Sequence, residues 1–203
     1  MDSASTHADQ IERKDAPLLR LWMTQGTDGK RDAHLLLLRV LERVYQLPSP
    51  SFYRLPGGKP ALTDLPLYFN LSHSGPFALL GVSDAPLGVD VERVKPRRAG
   101  LPRYALSDRE FDWFTQRGSR WEDFYTLWTL KESRVKYTGQ GLDRAPRTIA
   151  VPLLSAGTCE ELDGLCFASW NGSGWCAAFC GEEWPQSLPV ESRCFLHAED
   201  CLV

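Results

Sequence analysis

The chain has 203 residues, 43% apolar and 24% charged, a composition that suits one large globular domain or two small ones. Lys+Arg 23 against Asp+Glu 26 leaves a net charge of −3, without the basic excess a nucleic-acid binder would carry. No apolar run approaches the ~20 residues needed to cross a bilayer, so the expectation is a cytoplasmic protein with neither nucleic-acid nor membrane partners.

In chain order, residues 1–16 are polar and mixed in charge, lack the apolar centre of a signal peptide, and are expected to form a disordered leader. Leu18 to Thr24 is a short apolar run predicted as a strand. From Asp32 to Gln46 the apolar residues recur on one helical face, with Asp32 as the expected N-cap and Pro48 and Pro50 as the stop. RLPGGKPAL (54–62) is expected to be a Gly/Pro loop in which Lys59 stands between a flexible Gly pair and Pro60. Phe69 to Arg98 predicts two or three strands that carry Asn70, Ser72, His73, Asp90 and Glu92 within otherwise apolar runs. A basic connector with Pro and Gly (95–107) separates the expected halves, 17–98 and 99–203.

The second half opens on Ser107-Asp-Arg-Glu110, a capping-box pattern. Arg120 to Tyr137 follows without Pro or Gly and with apolar residues at helical spacing, and Gly139 and Gly141 are expected to end that helix. The remainder, with TIAV, LCFASW and WCAAFC around Asn171-Gly-Ser-Gly174, predicts a meander of strands with a tight hairpin. The six cysteines (159, 166, 176, 180, 194 and 201) fall in this last quarter. A zinc site from Cys176, Cys180, Cys194 and His197 lacks any CxxC pair, so core or surface thiols are expected.

Two clusters carry chemistry. Asp90 and Glu92 are two apart on a predicted strand and so share a face; held together they repel unless a cation or solvent separates them. Glu132 and Lys136 are an i, i+4 pair on the long helix. Taken singly, the first is as readily a solvated strand edge and the second a surface ion pair.

Taken together, the residues resemble a known family. FNLSHSG (69–75), LGVDVE (87–92) and WTLKESRVK (128–136), with the upstream GKP (58–60), are similar to the motifs of the Sfp-type 4′-phosphopantetheinyl transferases. The resemblance implies an α+β (α/β) fold: a pseudo-dimer of two similar subdomains, each a helix packed on antiparallel strands, with the active site in the cleft between them. It implies transfer of the phosphopantetheine arm of coenzyme A to a serine of an apo acyl or peptidyl carrier protein, releasing 3′,5′-ADP. By the same resemblance Asp90, Glu92 and Glu132 bind Mg²⁺ (or Mn²⁺), and Lys136 stabilises the leaving group. Glu132 or Glu92 is the candidate base, while Ser72, His73, Lys59 and Pro60 contact coenzyme A, with Lys131 a weaker candidate. Lys95, Arg97, Arg98, Arg103, Arg109, Arg117 and Arg120 are candidates to steer a carrier, and the protein is expected to act as a monomer. The alternatives are a non-catalytic binder of coenzyme A or carrier protein on the same scaffold, and a phosphohydrolase that uses water as the nucleophile.

Overall fold

The computed structural model describes residues 19–139, 141, 145–185 and the backbone of 190–191. The expected leader, Cys194, His197 and Cys201 lie outside these. Strand β1 (Arg20–Gln25) leads into helix α1 (Gly29–Arg43). The helix starts one turn before the predicted position, because Asp28, in extended conformation, caps it by accepting from the amides of Lys30 and Arg31 at 3.1 and 3.3 Å. Asp32 is therefore a first-turn residue and not the cap. The helix also stops before Pro48: Val44 is its C-cap, and Gln46 turns the chain at φ 55°.

The stretch expected as a loop is instead the tip of a hairpin, β2 (Phe52–Arg54) paired antiparallel with β3 (Pro60–Leu62). Gly58 at φ 81° makes the turn, and Pro60 sits at the first position of its strand, where its missing N–H does least harm. Next come β4 (Tyr68–Ser74), β5 (Phe77–Ser83) and β6 (Leu87–Arg93). Helices α2 (Leu101–Ala105), α3 (Asp108–Gln116) and α4 (Trp121–Thr138) follow, then a 3-10 turn (Pro146–Thr148). The capping box at Ser107 and Glu110 forms as predicted, and Gly139 ends α4 in the left-handed conformation at φ 69°. Strands β7 (Cys159–Leu162), β8 (Leu165–Gly172) and β9 (Trp175–Gly181) form the expected meander, and β10 (Val190–Glu191) returns to β1.

Two four-stranded sheets result, with orders β10-β1-β5-β4 and β6-β9-β8-β7. The pairing differs from the sequence expectation in one respect that matters for the site. Strand β6, assigned to the first half, hydrogen-bonds to β9 along its whole length and belongs to the second sheet. The crossover from one sheet to the other thus falls in the Asp84–Pro86 turn, before the basic connector.

Alternation within the strands sets the layers. Leu21, Met23, Phe77 and Leu79 from the first sheet pack on Val89, Val91, Trp170, Ala177 and Phe179 from the second, forming one core between the sheets. Trp22, Leu80 and Val82 face the opposite way and bury Leu36, Leu37, Val40 and Leu41 of α1. Phe167, Cys176, Ala178 and Cys180 face Phe124, Leu127 and Leu130 of α4. Buried between α1 and the second sheet, β5 is apolar on both faces, as a strand covered on each side must be. Cys166, Cys176 and Cys180 are buried and Cys159 is exposed, all as free thiols. Burial pushes the Cys176 and Cys180 thiols up to about 12, so they remain protonated core residues.

Candidate active site

The two sheets meet where β4 runs beside β6, and the junction is made by side chains. Asn70, Ser72 and Ser74 lie on one face of β4, two residues apart, and reach the free edge of β6. The Val89 amide donates to Asn70 Oδ1 at 2.8 Å and the Val91 amide to Ser72 Oγ at 3.2 Å. Edge amides of β6 that lack a neighbouring strand backbone are thereby satisfied. The serine hydroxyls go on to the carboxylates of β6: Ser72 Oγ donates to Asp90 Oδ1 at 2.7 Å, and Ser74 Oγ to Glu92 Oε2 at 2.6 Å.

Helix α4 covers the face of the second sheet that carries Asp90 and Glu92. It comes so near that a Cβ on Gly88 would collide with the Ser133 carbonyl and the Tyr137 amide. That contact fixes why glycine stands before the acidic pair: only there can helix backbone lie on strand backbone. Lys136 then reaches over β6, and its Nζ donates to Asp90 Oδ1 at 2.7 Å and to Ser72 Oγ at 2.8 Å. The ion pair that α4 makes here is with Asp90, in place of the i, i+4 pair with Glu132 that spacing alone suggested.

Asp90 is 4% exposed, and its second oxygen, Oδ2, is buried without a hydrogen-bond partner. An orphaned carboxylate oxygen in a buried position normally costs stability and marks a place where a ligand belongs. Glu92 and Glu132 both lie near enough to Asp90 to feel its charge. Burial first, and then the Asp90 charge, raise the Glu132 carboxyl to about 7 against the partial opposition of the Lys136 ammonium. Burial likewise raises the Glu92 carboxyl, partly offset by the Ser74 hydrogen bond. Carboxylate oxygens are hard donors of the kind Mg²⁺ prefers, and the unpaired Asp90 Oδ2 is one such donor. Among the described residues, no three His, Cys, Asp or Glu side chains are grouped closely enough to hold a metal ion.

Other expected site residues lie elsewhere. Ser72 and His73 are adjacent on a strand and so face opposite ways: Ser72 joins the carboxylates, whereas His73 is exposed on the far face. Lys131 does not enter the site. It is 1% exposed and paired with Glu110 at 2.8 Å, and it donates to the carbonyls of Pro146 and Ile149 at 3.0 and 2.7 Å. About 100° of helix rotation separates it from Glu132, which is enough to send the two to different faces of α4. Lys59 is half-buried, with its ammonium on two backbone carbonyls, those of Leu87 at 2.9 Å and Lys136 at 2.8 Å. Burial lowers it to about 8.

Lys59 and Pro60 line a cavity of about 730 Å³, together with Tyr53, Tyr68, Pro86 and Tyr137. That is the size of a small-molecule site. Of the basic connector residues, Lys95, Arg98 and Arg109 are exposed, and Arg97 donates to the Tyr125 hydroxyl at 3.0 Å. Arg103 stacks over Phe111, while Arg117 and Arg120 grip Asp123 at 2.9 and 2.8 Å. Ser74 is the site residue that sequence reasoning missed; its two-residue spacing from Ser72 was the available signal.

The model of the 4′-phosphopantetheinyl transferase superfamily matches residues 86–185, which span the acidic strand and α4. The chain is similar to the 4′-phosphopantetheinyl transferase ffp of Bacillus subtilis, 37% identical over 124 residues, covering 56% of this chain and 55% of that protein. It is 35% identical over 124 residues to the 4′-phosphopantetheinyl transferase Sfp of B. subtilis strain 168, with the same coverage. To the 4′-phosphopantetheinyl transferase AcpT of Escherichia coli it is 32% identical over 130 residues, covering 61% of this chain and 67% of that protein. The chain spans about half the length of the Bacillus relatives. With the motif strand, the helix and the relatives in accord, the chain belongs to the 4′-phosphopantetheinyl transferase superfamily.

Proposed function

We propose that the protein transfers 4′-phosphopantetheine from coenzyme A to a serine hydroxyl of an apo acyl or peptidyl carrier protein, releasing 3′,5′-ADP. The observation that carries this reading is the Ser72–Asp90–Lys136 cluster, with its orphaned Asp90 oxygen and with Glu92 and Glu132 beside it. In the reaction, the serine oxygen bonds to the β-phosphorus of coenzyme A as the pyrophosphate bridge breaks. The serine proton passes to a base, and 3′,5′-ADP leaves with the bridging oxygen.

Asp90, Glu92 and Glu132 would hold a Mg²⁺ or Mn²⁺ ion. When bound, that ion supplies charge neutralisation to the pyrophosphate oxygens. Glu132 or Glu92 is the proposed base for the serine proton, directly or through a water. Lys136 is a cation beside the same oxygens, suited to stabilise charge on the leaving phosphate.

The cavity beside Lys59 and Pro60 is proposed to take the adenosine end. Its lining residues Phe69 and Pro86 stand three or four positions before Ser72 and Asp90 along the parallel strands β4 and β6, roughly 10–13 Å away. His73, on the other face of β4, has a smaller claim to a phosphate. The arrangement of the fold supports the pseudo-dimer reading. Each sheet contains strand, helix, strand, strand with the order first–third–second, as β1-β5-β4 with α1 and as β6-β9-β8 with α4. The site then lies at the seam of the two repeats.

Exposed Lys95, Arg98 and Arg109 would face an acidic carrier surface. A cytoplasmic monomer is the proposed setting, and no helix among the described residues is long and apolar enough to cross a membrane. Incubation with coenzyme A, Mg²⁺ and a panel of apo acyl and peptidyl carriers, each then weighed, tests the reading. Gain of the phosphopantetheine mass supports it. Coenzyme A cleaved without any carrier gaining mass would favour a hydrolase.

A further inference from the structure

We propose that Lys59 is a positioning residue that locks helix α4 in register against strand β6, and is not a ligand for the phosphates of coenzyme A. The inference rests on the transferase reading for its assay, but its geometry stands apart from it.

One ammonium joins three elements. From the hairpin that carries it, Lys59 Nζ donates to the carbonyl of Leu87 at 2.9 Å and to that of Lys136 at 2.8 Å. Leu87 is the first residue of the strand that presents Asp90 and Glu92. Lys136 is in the last turn of α4, and its own ammonium holds Asp90. The backbone of Lys136 is thus clamped by Lys59 while its side chain grips the acidic strand.

The local chemistry favours a lysine here. Gly139 breaks α4 in the left-handed conformation, so the last-turn carbonyls lack helical partners. A cation at this end also meets the negative pole of the helix. The Lys59 stem packs against the same turn: a Cβ on Gly139 would stand 3.6 Å from Lys59 Cδ. With two of its three N–H bonds committed to carbonyls, the ammonium has at most one left for a ligand. The clamp adjoins the tight passage of Gly88 under Ser133 and Tyr137, so α4 is held against β6 by close contact above and by the lysine at its end. A shift of α4 by about 1 Å at Lys136 or Glu132 would be expected to lower turnover by up to about a hundredfold.

The test uses the full chain, an apo carrier that the wild type modifies, and two donors, coenzyme A and 3′-dephospho-coenzyme A. For Lys59→Met the expected result is a fall in kcat of about ten- to a hundredfold with both donors. The ratio of kcat/KM between the two donors should stay within about twofold of wild type, since no phosphate contact is lost. Amide exchange at residues 87–89 and 136–139 should accelerate at temperatures well below the melting point. A donor preference that collapses in Lys59→Met, or a raised KM for coenzyme A at constant kcat, would overturn the proposal and make Lys59 a phosphate ligand. Lowered melting temperature with unchanged kcat would reduce it to a fold-stabilising residue and also overturn the proposal. Should the wild type modify no carrier, the transferase reading fails, and the exchange rates decide the clamp alone: unchanged exchange would overturn it.

Discussion

Glu132 keeps its proton up to about pH 7 because burial and the Asp90 charge disfavour the carboxylate, and a glutamine at this position removes that linkage at nearly constant size. The folded state binds the proton more tightly than an unfolded chain, where the group titrates near 4.5. Its contribution to stability is therefore full below pH 4.5 and is lost as pH rises through about 7. Holding a proton over that interval corresponds to at most ~3 kcal/mol. The side chain is partly solvated, so roughly 1–3 kcal/mol is the expected range.

Urea melts of wild type and Glu132→Gln, at pH 5 and pH 8 with a chelator and without coenzyme A, isolate this group from the others. The two proteins should be nearly equal in stability at pH 5. At pH 8 the variant should be the more stable by roughly 1–3 kcal/mol, equivalent to about 2–10 °C in Tm for a chain of this size. Transfer activity should nevertheless fall by about a hundredfold or more, as expected when a general base is removed. A variant less stable than wild type at pH 8, or a difference independent of pH, would refute the reasoning and return Glu132 to a structural role.

Further outcomes follow from the same geometry. Gly88→Ala places a methyl against the Ser133 carbonyl and Tyr137 amide, so a loss of about 1–3 kcal/mol in denaturant melts and a marked loss of transfer are expected together. Lys131→Met leaves the buried Glu110 carboxylate with the Ser107 amide at 2.7 Å but without its counter-ion, and should cost roughly 3–5 kcal/mol. Below its lowered melting point that variant should keep the wild-type KM for coenzyme A, whereas a raised KM would show that Lys131 touches substrate. Lys136→Met frees Asp90 from its ammonium partner, so Mn²⁺ binding without coenzyme A, followed by spin resonance, should tighten. Weaker binding would contradict the competition between lysine and metal for Asp90.

Much of the site was legible because it rests on local patterns. The spacing of Asp90 and Glu92 defined a shared strand face, and Trp121–Thr138 announced its length and its glycine stop. The capping box at Ser107 and the β8–β9 hairpin were equally local. What escaped depended on tertiary placement. Asp28 and Asp32 are both competent caps, and the choice was made by where the chain leaves β1. Pairing of β6 with β9 is a contact across more than 80 residues, which no local periodicity encodes. Lys131 and Lys59 are expected from the motifs to contact coenzyme A; that their ammonium groups meet Glu110 and the carbonyls of Pro146, Ile149, Leu87 and Lys136 follows from tertiary placement alone. Adjacent Ser72 and His73 show the reverse: a motif groups residues that strand alternation places on opposite faces.

The central claim is that the seam of β4, β6 and α4 moves phosphopantetheine to a carrier serine. It is tested most directly by weighing an apo carrier protein and counting released 3′,5′-ADP after incubation with coenzyme A and Mg²⁺, for wild type and for Asp90→Ala. The account predicts one phosphopantetheine mass added and one 3′,5′-ADP released per carrier with wild type, and neither with a folded Asp90→Ala variant. An Asp90→Ala variant that modifies the carrier at the wild-type rate would contradict it.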